Sequence, residues 1–154
     1  KGGSHRRYYG NLEYVIRLKD LWDDSKTNIS VRRGDREYYF RTAIGWSQVG
    51  NSQKSFRYTS HTVCGTATPT IYVKNEGWYS YILAFLNTKI AYEYLSAFNP
   101  TINLLTTDIC NIPLLESAMW KAKVKNLCLE NVKGSQKDWD SYETSWDFKR
   151  NPLV

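Results

Sequence analysis

The sequence predicts an α+β fold in which a twisted, mostly antiparallel sheet packs on a long apolar helix and a second, spacer helix. Short segments that alternate between apolar and polar residues occupy the first half of the 154-residue chain, separated by turn-forming residues. Longer segments with apolar residues at helical spacing occupy the second half. We therefore expect the sheet to come from the first half and the helices from the second.

The predicted strands start with residues 13–18, where alternating Tyr14, Ile16 and Leu18 indicate a half-buried strand. Aromatic and small residues predict later strands as well. Tyr39 and Trp46 are both expected in the core. These later strands lie at residues 38–40, at 44–46 with Trp46, and within 62–73, where Gly65 and Pro69 interrupt them.

The central element is predicted to be one long apolar helix that begins near Trp78 and ends at Asn99. Asn75 can cap its start, while Asn99 tolerates a left-handed conformation and Pro100 cannot continue a helix. Placing residues at 100° intervals brings the apolar side chains onto one core-facing stripe. That stripe contains Tyr79, Ile82, Leu83, Leu86, Ile90, Tyr94 and Ala97.

Two shorter elements are predicted after this helix. Ile102 and Leu104 alternate with polar neighbours, which indicates an extended piece, and Thr107 or Asp108 can cap a single helical turn that Pro113 closes. A second helix then follows a capping serine and ends at a glycine. The residues concerned are Ser117 and Gly134 at its ends, and Trp120, Val124, Leu127 and Cys128 along one side.

Composition bounds the class of protein. Hydrophobic residues make up 42% of the chain and charged residues 23%, which is ordinary for one globular domain, and no apolar run is long enough to predict a membrane span. Three cysteines without CxxC spacing argue against a disulfide framework or a zinc site and favour the cytoplasm. Because the chain starts without methionine and stops abruptly, we expect it to be an excised fragment.

The net charge of +6 is confined to the first half. Residues 1–77 hold 13 Lys and Arg against 7 Asp and Glu, whereas residues 78–154 hold 8 of each. Eight of the nine arginines also lie in the first half, and the planar guanidinium suits phosphate groups and guanine edges. This distribution predicts that the basic first half faces a polyanion and that the neutral second half provides the packed support.

Three segments of the basic half are candidate DNA contacts. The first is a glycine-rich basic arm, the second an exposed arginine turn, and the third a polar edge whose residue types can pair with bases or grip phosphates. The alternative for each is a solvated surface loop, and a lone His61 is expected to be a surface residue and no metal ligand. The candidate residues are Arg6 and Arg7 in the arm, Arg32, Arg33 and Arg36 in the turn, and Gln53, Lys54, Arg57 and Tyr58 at the edge.

Two sequence motifs carry a resemblance to known proteins. The segment FLNTKIAYEYLSAFNPTINLLTTDICNIPLL resembles the helix, Asn-Pro-Thr and Asp-Ile-x-Asn-Ile-Pro segment of target-recognition domains in bacterial DNA methyltransferases and restriction-modification proteins. The run DWDSYETSWDFKRNPL, together with the opening KGG and its basic aromatic cluster, resembles the PglX adenine-specific methyltransferases of BREX phage-defence systems. The second motif is the more specific of the two.

The resemblance implies a DNA target-recognition fragment of an enzyme that methylates adenine at N6. Residues 1–115 would form the recognition domain, with a basic β-rich part at 1–77 and the central helix and turn at 78–115. Residues 116–154 would form a spacer helix and an acidic aromatic tail that packs on the rest of the parent protein. The implied partners are double-stranded DNA and the catalytic domain of the same parent chain, with S-adenosylmethionine as that enzyme's cofactor and no membrane.

The chain carries no catalytic motif of its own. Amino-methyltransferases hold a flipped base with an Asn/Asp-Pro-Pro-aromatic loop, whereas here Asn99 and Pro100 are followed by Thr101 and Ile102. No glycine-rich loop follows a predicted strand, and the scattered cysteines and histidines define no triad. We therefore expect any methyl transfer to occur elsewhere in the parent chain.

Other functions remain open from the sequence alone. The same module could belong to a fused restriction-methylation enzyme or a specificity subunit, although the terminal acidic aromatic run favours the first assignment. Six Trp and twelve Tyr could instead form a carbohydrate-binding platform, and a pure interaction scaffold is a third possibility. DNA binding predicts a steep dependence on salt, which neither of the last two does.

Overall fold

The computed structural model describes residues 2–19, 35–50, 54–63, 65–115 and 118–153. Within these ranges, regular structure consists of three strands, four α-helices and two short 3₁₀ turns, Arg36–Tyr38 and Glu76–Trp78. The predicted α+β class is therefore confirmed. The strands are β1 (Ala43–Trp46), β2 (Phe56–Thr59) and β3 (Thr70–Ile71), and the helices are α1 (Tyr79–Leu86), α2 (Lys89–Phe98), α3 (Thr106–Cys110) and α4 (Ala118–Trp139).

The sheet is antiparallel, with β1 between β2 and β3. Gly45 in β1 lies opposite Arg57 of β2 and Thr70 of β3. Tyr8 extends the sheet beyond β2, because its N–H donates to the Phe56 carbonyl at 2.9 Å and its carbonyl accepts from the Tyr58 N–H at 2.8 Å. The N-terminal arm is thus tied to the edge of the sheet.

Side chains on one face of the sheet pack against the helices. Trp46 is fully buried there, and its indole N–H donates to the Leu104 carbonyl at 3.0 Å. Tyr39 is also buried, so the predicted core positions of Trp46 and Tyr39 are confirmed. The buried cluster contains Ile44, Trp46, Phe56, Leu83, Leu86, Leu95, Leu104, Ile109, Ile112 and Cys128.

The prediction of one long central helix is wrong, because the helix is interrupted at Asn87 and Thr88. This side chain is buried and binds the backbone of β2: its Oδ1 accepts from the Phe56 N–H at 3.1 Å, and its Nδ2 donates to the Phe56 carbonyl at 2.9 Å. Thr88 then starts α2, since its hydroxyl accepts from the Ala91 N–H at 3.2 Å. The interruption allows the Asn87 side chain to join α1 to β2.

The break also changes which residues of the second helix face the core. Ala91 and Leu95 are buried, whereas Ile90 is 63% exposed and Tyr94 is 41% exposed. A stripe calculated for one uninterrupted helix does not give the buried positions after residue 88, because a separate helix begins there. The predicted stripe is therefore correct for Leu83 and Leu86 and wrong in its second half.

We expect replacement of Asn87 by alanine to lower the free energy of unfolding by about 2 kcal/mol, because it removes the side-chain acceptor of the buried Phe56 N–H and one of the two donors to the Phe56 carbonyl. Urea unfolding followed by circular dichroism measures this change. Asn131→Ala is the matched control, since Asn131 is exposed and bonds only a carbonyl of its own helix. Equal losses in the two variants would show that Asn87 has no special role.

Several other predicted elements differ in detail. Residues 13–18 form no strand, since Tyr8 already occupies the edge of β2, and residues 38–40 form the end of a 3₁₀ turn and not a strand. Gly134 lies inside α4, which continues to Trp139 because that ring is buried against the arm. Tertiary packing overrides the local preference at each of these positions.

The segment after α2 keeps most of its predicted features. The helix ends before Pro100 as expected, although Asn99 is extended at φ −140° and not left-handed. The extended piece pairs with the chain after β1, since the Leu104 N–H donates to the Gln48 carbonyl at 2.8 Å. Asp108 caps α3 from inside its first turn, by accepting from the Leu105 N–H at 2.9 Å. The expected N-cap at Thr107 or Asp108 is thus displaced.

Two cysteines of the described residues have contrasting environments. Cys110 is exposed, while Cys128 is buried in the core. Burial raises the pKa of the Cys128 thiol from 9.0 to about 11. The neutral thiol is therefore favoured in the folded protein.

We expect this raised pKa to make stability fall as the pH rises from about 9 to about 11, because the unfolded chain releases the thiol proton in this window and the folded chain retains it. The contribution of Cys128 is about 2 kcal/mol. Comparing the free energy of unfolding of the wild type and Cys128→Ala at both ends of the window isolates it from tyrosine titration. Cys110→Ala should keep the wild-type slope; a Cys128→Ala slope equal to wild type would contradict the assignment.

Candidate nucleic-acid interface

A groove of about 810 Å³ lies between the 3₁₀ turn at Arg36–Tyr38 and the segment that follows β3. The rings of Tyr38 and Tyr72 meet in it, with centroids 4.9 Å apart and planes tilted by 35°. The Arg41 guanidinium lies 5.7 Å from the centroid of the Tyr38 ring. We call this the Tyr38–Tyr72 groove; it is lined by Tyr38, Arg41, Thr42, Tyr72, Val73, Lys74, Glu76, Tyr79 and Ser80.

Local structure explains how the two rings meet. The turn that carries Tyr38 is closed by an N–H donated from Tyr39 to the Arg36 carbonyl at 3.1 Å, and the buried Tyr39 side chain anchors it. Tyr72 directly follows β3, whose pairing with β1 sets its position. Both rings are thus presented by short elements attached to the sheet.

Tyr79 forms the inner wall of the groove. Its hydroxyl donates to the Ala43 carbonyl at 2.6 Å, and its ring packs edge-on against Tyr58 at 5.7 Å. Burial raises the pKa of this phenol well above its ordinary value, so it stays neutral. The Tyr79 side chain therefore joins α1 to β1 at the base of the groove.

Among the described residues, two cations and one carboxylate line the groove. Arg41 and Lys74 are exposed on its lining, whereas the exposed Arg36 begins the neighbouring turn, where exposed Asp35 and Glu37 flank it. Glu76 is the acidic residue among the described lining residues. Cations beside aromatic rings provide both phosphate contacts and stacking surfaces, the combination that nucleic-acid grooves use.

Arg6 of the predicted arm does not lie at a free edge. Its Nη1 forms an ion pair with Asp138 at 2.8 Å, and its guanidinium lies over the rings of Trp139 at 4.8 Å and Tyr142 at 5.6 Å. These contacts join the arm to the end of α4. The structure thus gives Arg6 contacts within the fold, and its contact with DNA stays a prediction.

Arg57 is likewise not at the surface, since its side chain is only 1% exposed. Its Nη2 donates to the Gly2 carbonyl and to the Ser47 hydroxyl, both at 3.3 Å. Burial lowers the pKa of this guanidinium from 12.5 to about 10. Its placement on an exposed polar edge was therefore wrong, because residue type alone does not report burial.

Two other residues of that edge, Lys54 and Tyr58, also make contacts within the fold. The Lys54 ammonium donates to the carbonyls of Thr101 and Ile102, both at 3.3 Å, and burial lowers its pKa while Asp108 opposes the shift. Tyr58 is half-buried and packs against the core. The remaining predicted residues stay predictions: Arg7 and Arg36 are exposed, while Arg32, Arg33 and Gln53 lie outside the described residues.

The Asn-Pro-Thr motif forms a closed turn. The Asn99 amide donates to the Asp108 carboxylate at 2.8 Å, while its oxygen accepts from the Thr101 N–H at 3.1 Å and hydroxyl at 2.6 Å. Every polar group of the Asn99 side chain is therefore engaged in joining α2 to α3. This geometry accounts for the motif without a catalytic role.

Sequence reasoning overlooked Tyr38, Arg41, Tyr72 and Lys74 as a group. A signal was present, because each tyrosine precedes a cation by two or three residues, in YYFR and in YVK. The two segments are separated by 30 residues of sequence, and only the pairing of β1 with β3 brings them together. Nothing local to either segment predicts that pairing.

Membrane-spanning helices and clusters of metal ligands are both absent from the described residues. Among those residues no helix is both long and apolar enough to span a bilayer. Nor do any three His, Cys, Asp or Glu side chains in the described ranges come together as metal ligands.

Comparison with known proteins finds relatives along the whole chain. No family model matches it. It is 28% identical over 162 aligned residues to the adenine-specific methyltransferase PglX of Lacticaseibacillus casei (strain Zhang), and 27% identical over 157 to the adenine-specific methyltransferase BrxX of Escherichia coli O9:H4 (strain HS). The chain spans 13% of the length of each. From end to end, this chain is thus similar to one segment of the PglX/BrxX-type adenine-specific methyltransferases, which confirms the resemblance predicted from its motifs.

Proposed function

We propose that this chain is the DNA target-recognition region of an adenine-specific methyltransferase, and that it holds duplex DNA in the Tyr38–Tyr72 groove. The observation that carries the proposal is the groove itself, in which exposed Arg41 and Lys74 flank two adjoining tyrosine rings. The names of both relatives support adenine methylation as the parent activity. The positive first half of the chain supports a polyanionic partner.

Each group has a role in this proposal. Arg36, Arg41 and Lys74 neutralise backbone phosphates, while Tyr38 and Tyr72 contact sugars and phosphates through their rings and hydroxyls. Arg32 and Arg33 precede the same turn in sequence but lie outside the described residues, so their contact with DNA stays a prediction. The parent enzyme would thus receive its target adenine in a defined position.

Four residues of the predicted contact set also support the groove indirectly. Arg6 and Arg57 join the N-terminal arm to α4 and to the sheet, and Lys54 joins β2 to the Asn-Pro-Thr turn. Tyr58 packs against Tyr79, which forms the wall of the groove. A rigid support is what a recognition surface needs, since misplacement by about 1 Å is costly for a site that positions a substrate.

S-adenosylmethionine would supply the methyl group in the parent enzyme, but the described residues do not fit this cofactor. Nucleotide-like cofactors bind at the carboxyl ends of parallel strands beside a glycine-rich turn. The described strands here are antiparallel, and none leads through such a turn into a helix. We therefore assign methyl transfer to a catalytic domain of the parent, acting in the cytoplasm.

The test is the salt dependence of binding to a labelled DNA duplex, followed by fluorescence anisotropy. If three cations contact phosphates, the logarithm of the binding constant falls with the logarithm of salt concentration with a slope of about −3. A flat salt dependence, or binding to oligosaccharides in place of DNA, would contradict the proposal and favour a carbohydrate-binding platform.

A further inference from the structure

Glu76 is the acidic residue among the described residues that line the Tyr38–Tyr72 groove. Its side chain is exposed and forms no ion pair or hydrogen bond with another described residue. A carboxylate in this position repels the phosphates that contact Arg41 and Lys74 in the proposed complex. Contacts within the described part of the chain therefore do not account for a negative charge on the lining of a DNA groove.

Glu76 lies on an exposed turn between β3 and α1. Residues 74–77 are all exposed, while the end of the turn is tied to the fold. The Trp78 N–H closes the turn by donating to the Asn75 carbonyl at 2.9 Å, and the Lys121 ammonium of α4 lies 4.0 Å from the centroid of the Trp78 ring. The carboxylate is therefore presented to solvent from a supported backbone, as a residue that contacts a base requires.

The position of Glu76 also has a simpler structural use. It begins the short 3₁₀ turn that leads into α1, where a carboxylate is favoured by the helix dipole. This structural role requires a negative charge but does not depend on the sequence of any bound DNA. The two roles therefore give different expectations for sequence preference.

The four bases differ in what they offer a carboxylate in the major groove. Cytosine presents its N4 amino group as a donor, guanine and thymine present acceptors, and adenine places the acceptor N7 beside its amino group. Because an ionised carboxylate only accepts hydrogen bonds, cytosine is the base that suits it best. The hydroxyls of Thr42 and Ser80 on the same lining both donate and accept, so they do not select a base.

We propose that Glu76 selects a cytosine in the recognised DNA site by accepting a hydrogen bond from the N4 amino group in the major groove. The inference rests on the proposed function, to which it adds one base of the recognised sequence. Arg41 and Lys74 provide affinity through phosphates, which carry no sequence information. Glu76 provides selectivity, since it pairs with cytosine and repels the acceptors of the other bases.

The test uses the 154-residue chain to select duplexes from a pool with a randomised segment, followed by anisotropy titrations of the selected duplex. The wild type should bind a duplex with cytosine at one fixed position about 10-fold more tightly than duplexes with another base there. Glu76→Gln should instead prefer adenine at that position, because an amide can pair with both N6 and N7 of adenine. The steep salt dependence of binding should remain in this variant.

Glu37→Gln is the matched control. Glu37 is exposed in the neighbouring turn and is not among the described residues of the groove lining. Its replacement removes the same charge close to the groove and should leave the preferred sequence unchanged. Circular dichroism verifies that both variants are folded.

A cytosine preference that Glu76→Gln retains, or that Glu37→Gln loses to the same extent, would overturn the inference. The helix-dipole role alone predicts such a result, with slightly lower stability of Glu76→Gln. Salt-dependent duplex binding without a cytosine preference in the wild type would also overturn it, while leaving the proposed function intact. Absence of salt-dependent duplex binding would reject the proposed function and this inference together.

Discussion

Replacing Arg36, Arg41 and Lys74 together by glutamine will weaken binding of duplex DNA by about 100-fold at low salt, because three phosphate contacts are lost. The slope of the logarithm of the binding constant against that of salt concentration should also shrink by about 3. All three side chains are exposed, Arg41 and Lys74 on the lining of the Tyr38–Tyr72 groove and Arg36 in the adjoining turn, so their replacement leaves the core intact. Anisotropy titrations at several salt concentrations measure both quantities.

The control removes the same charge from another surface. Lys125, Lys133 and Lys137 are exposed on α4, and their replacement by glutamine should change affinity by no more than about 3-fold through the general electrostatic field. If the two triple variants lose equal affinity, DNA responds to net charge and not to the groove. Circular dichroism verifies that both variants remain folded.

Replacement of Trp46 by alanine will lower the free energy of unfolding by about 4 to 5 kcal/mol, because it removes the largest fully buried side chain and leaves a cavity. It also leaves the Leu104 carbonyl without the indole N–H that now donates to it. Trp46→Phe retains most of the volume and should lose less, about 2 kcal/mol. Urea unfolding at neutral pH provides these values.

Trp146 provides the matched control for this prediction. Its ring is 69% exposed, although its indole N–H also donates to a backbone carbonyl, that of Glu13, at 3.2 Å. Trp146→Ala should therefore cost no more than about 0.5 kcal/mol. A similar loss at both tryptophans would mean that Trp46 does not anchor the packing of sheet against helices.

The sequence predicted those features that depend on local chemistry. Trp46 lies in an apolar strand segment and is buried, and Pro100 cannot continue a helix and marks its end. The motifs that carry the family resemblance also extend along the chain, and the relatives confirm them. Strands in the first half and helices in the second are likewise consequences of residue periodicity.

The break at Asn87 could not be predicted in this way. Asparagine is tolerated in a helix at modest cost, and the apolar pattern continues across the position. The reason for the break lies 31 residues earlier, in the Phe56 backbone that the Asn87 amide pairs with. Such a contact exists only after β2 has folded against the helices.

Net charge locates an excess of cations in the first half of the chain but does not predict the surroundings of any one of them. Arg6, Arg57 and Arg41 all contribute to the positive first half, yet one is ion-paired, one is buried and one is exposed over a tyrosine ring. Side-chain type gives the chemistry that a residue can perform, whereas burial decides whether a partner can reach it. The groove therefore emerged from the fold, from residues outside the predicted contact set.

The central claim is that DNA lies in the Tyr38–Tyr72 groove, and amide chemical shifts measured by NMR during addition of a DNA duplex test it most directly. If DNA binds there, the largest chemical-shift changes are expected on residues 36–42 and 72–80, with little change on the exposed side of α4. Changes concentrated on α4, or spread evenly over the surface, would contradict it.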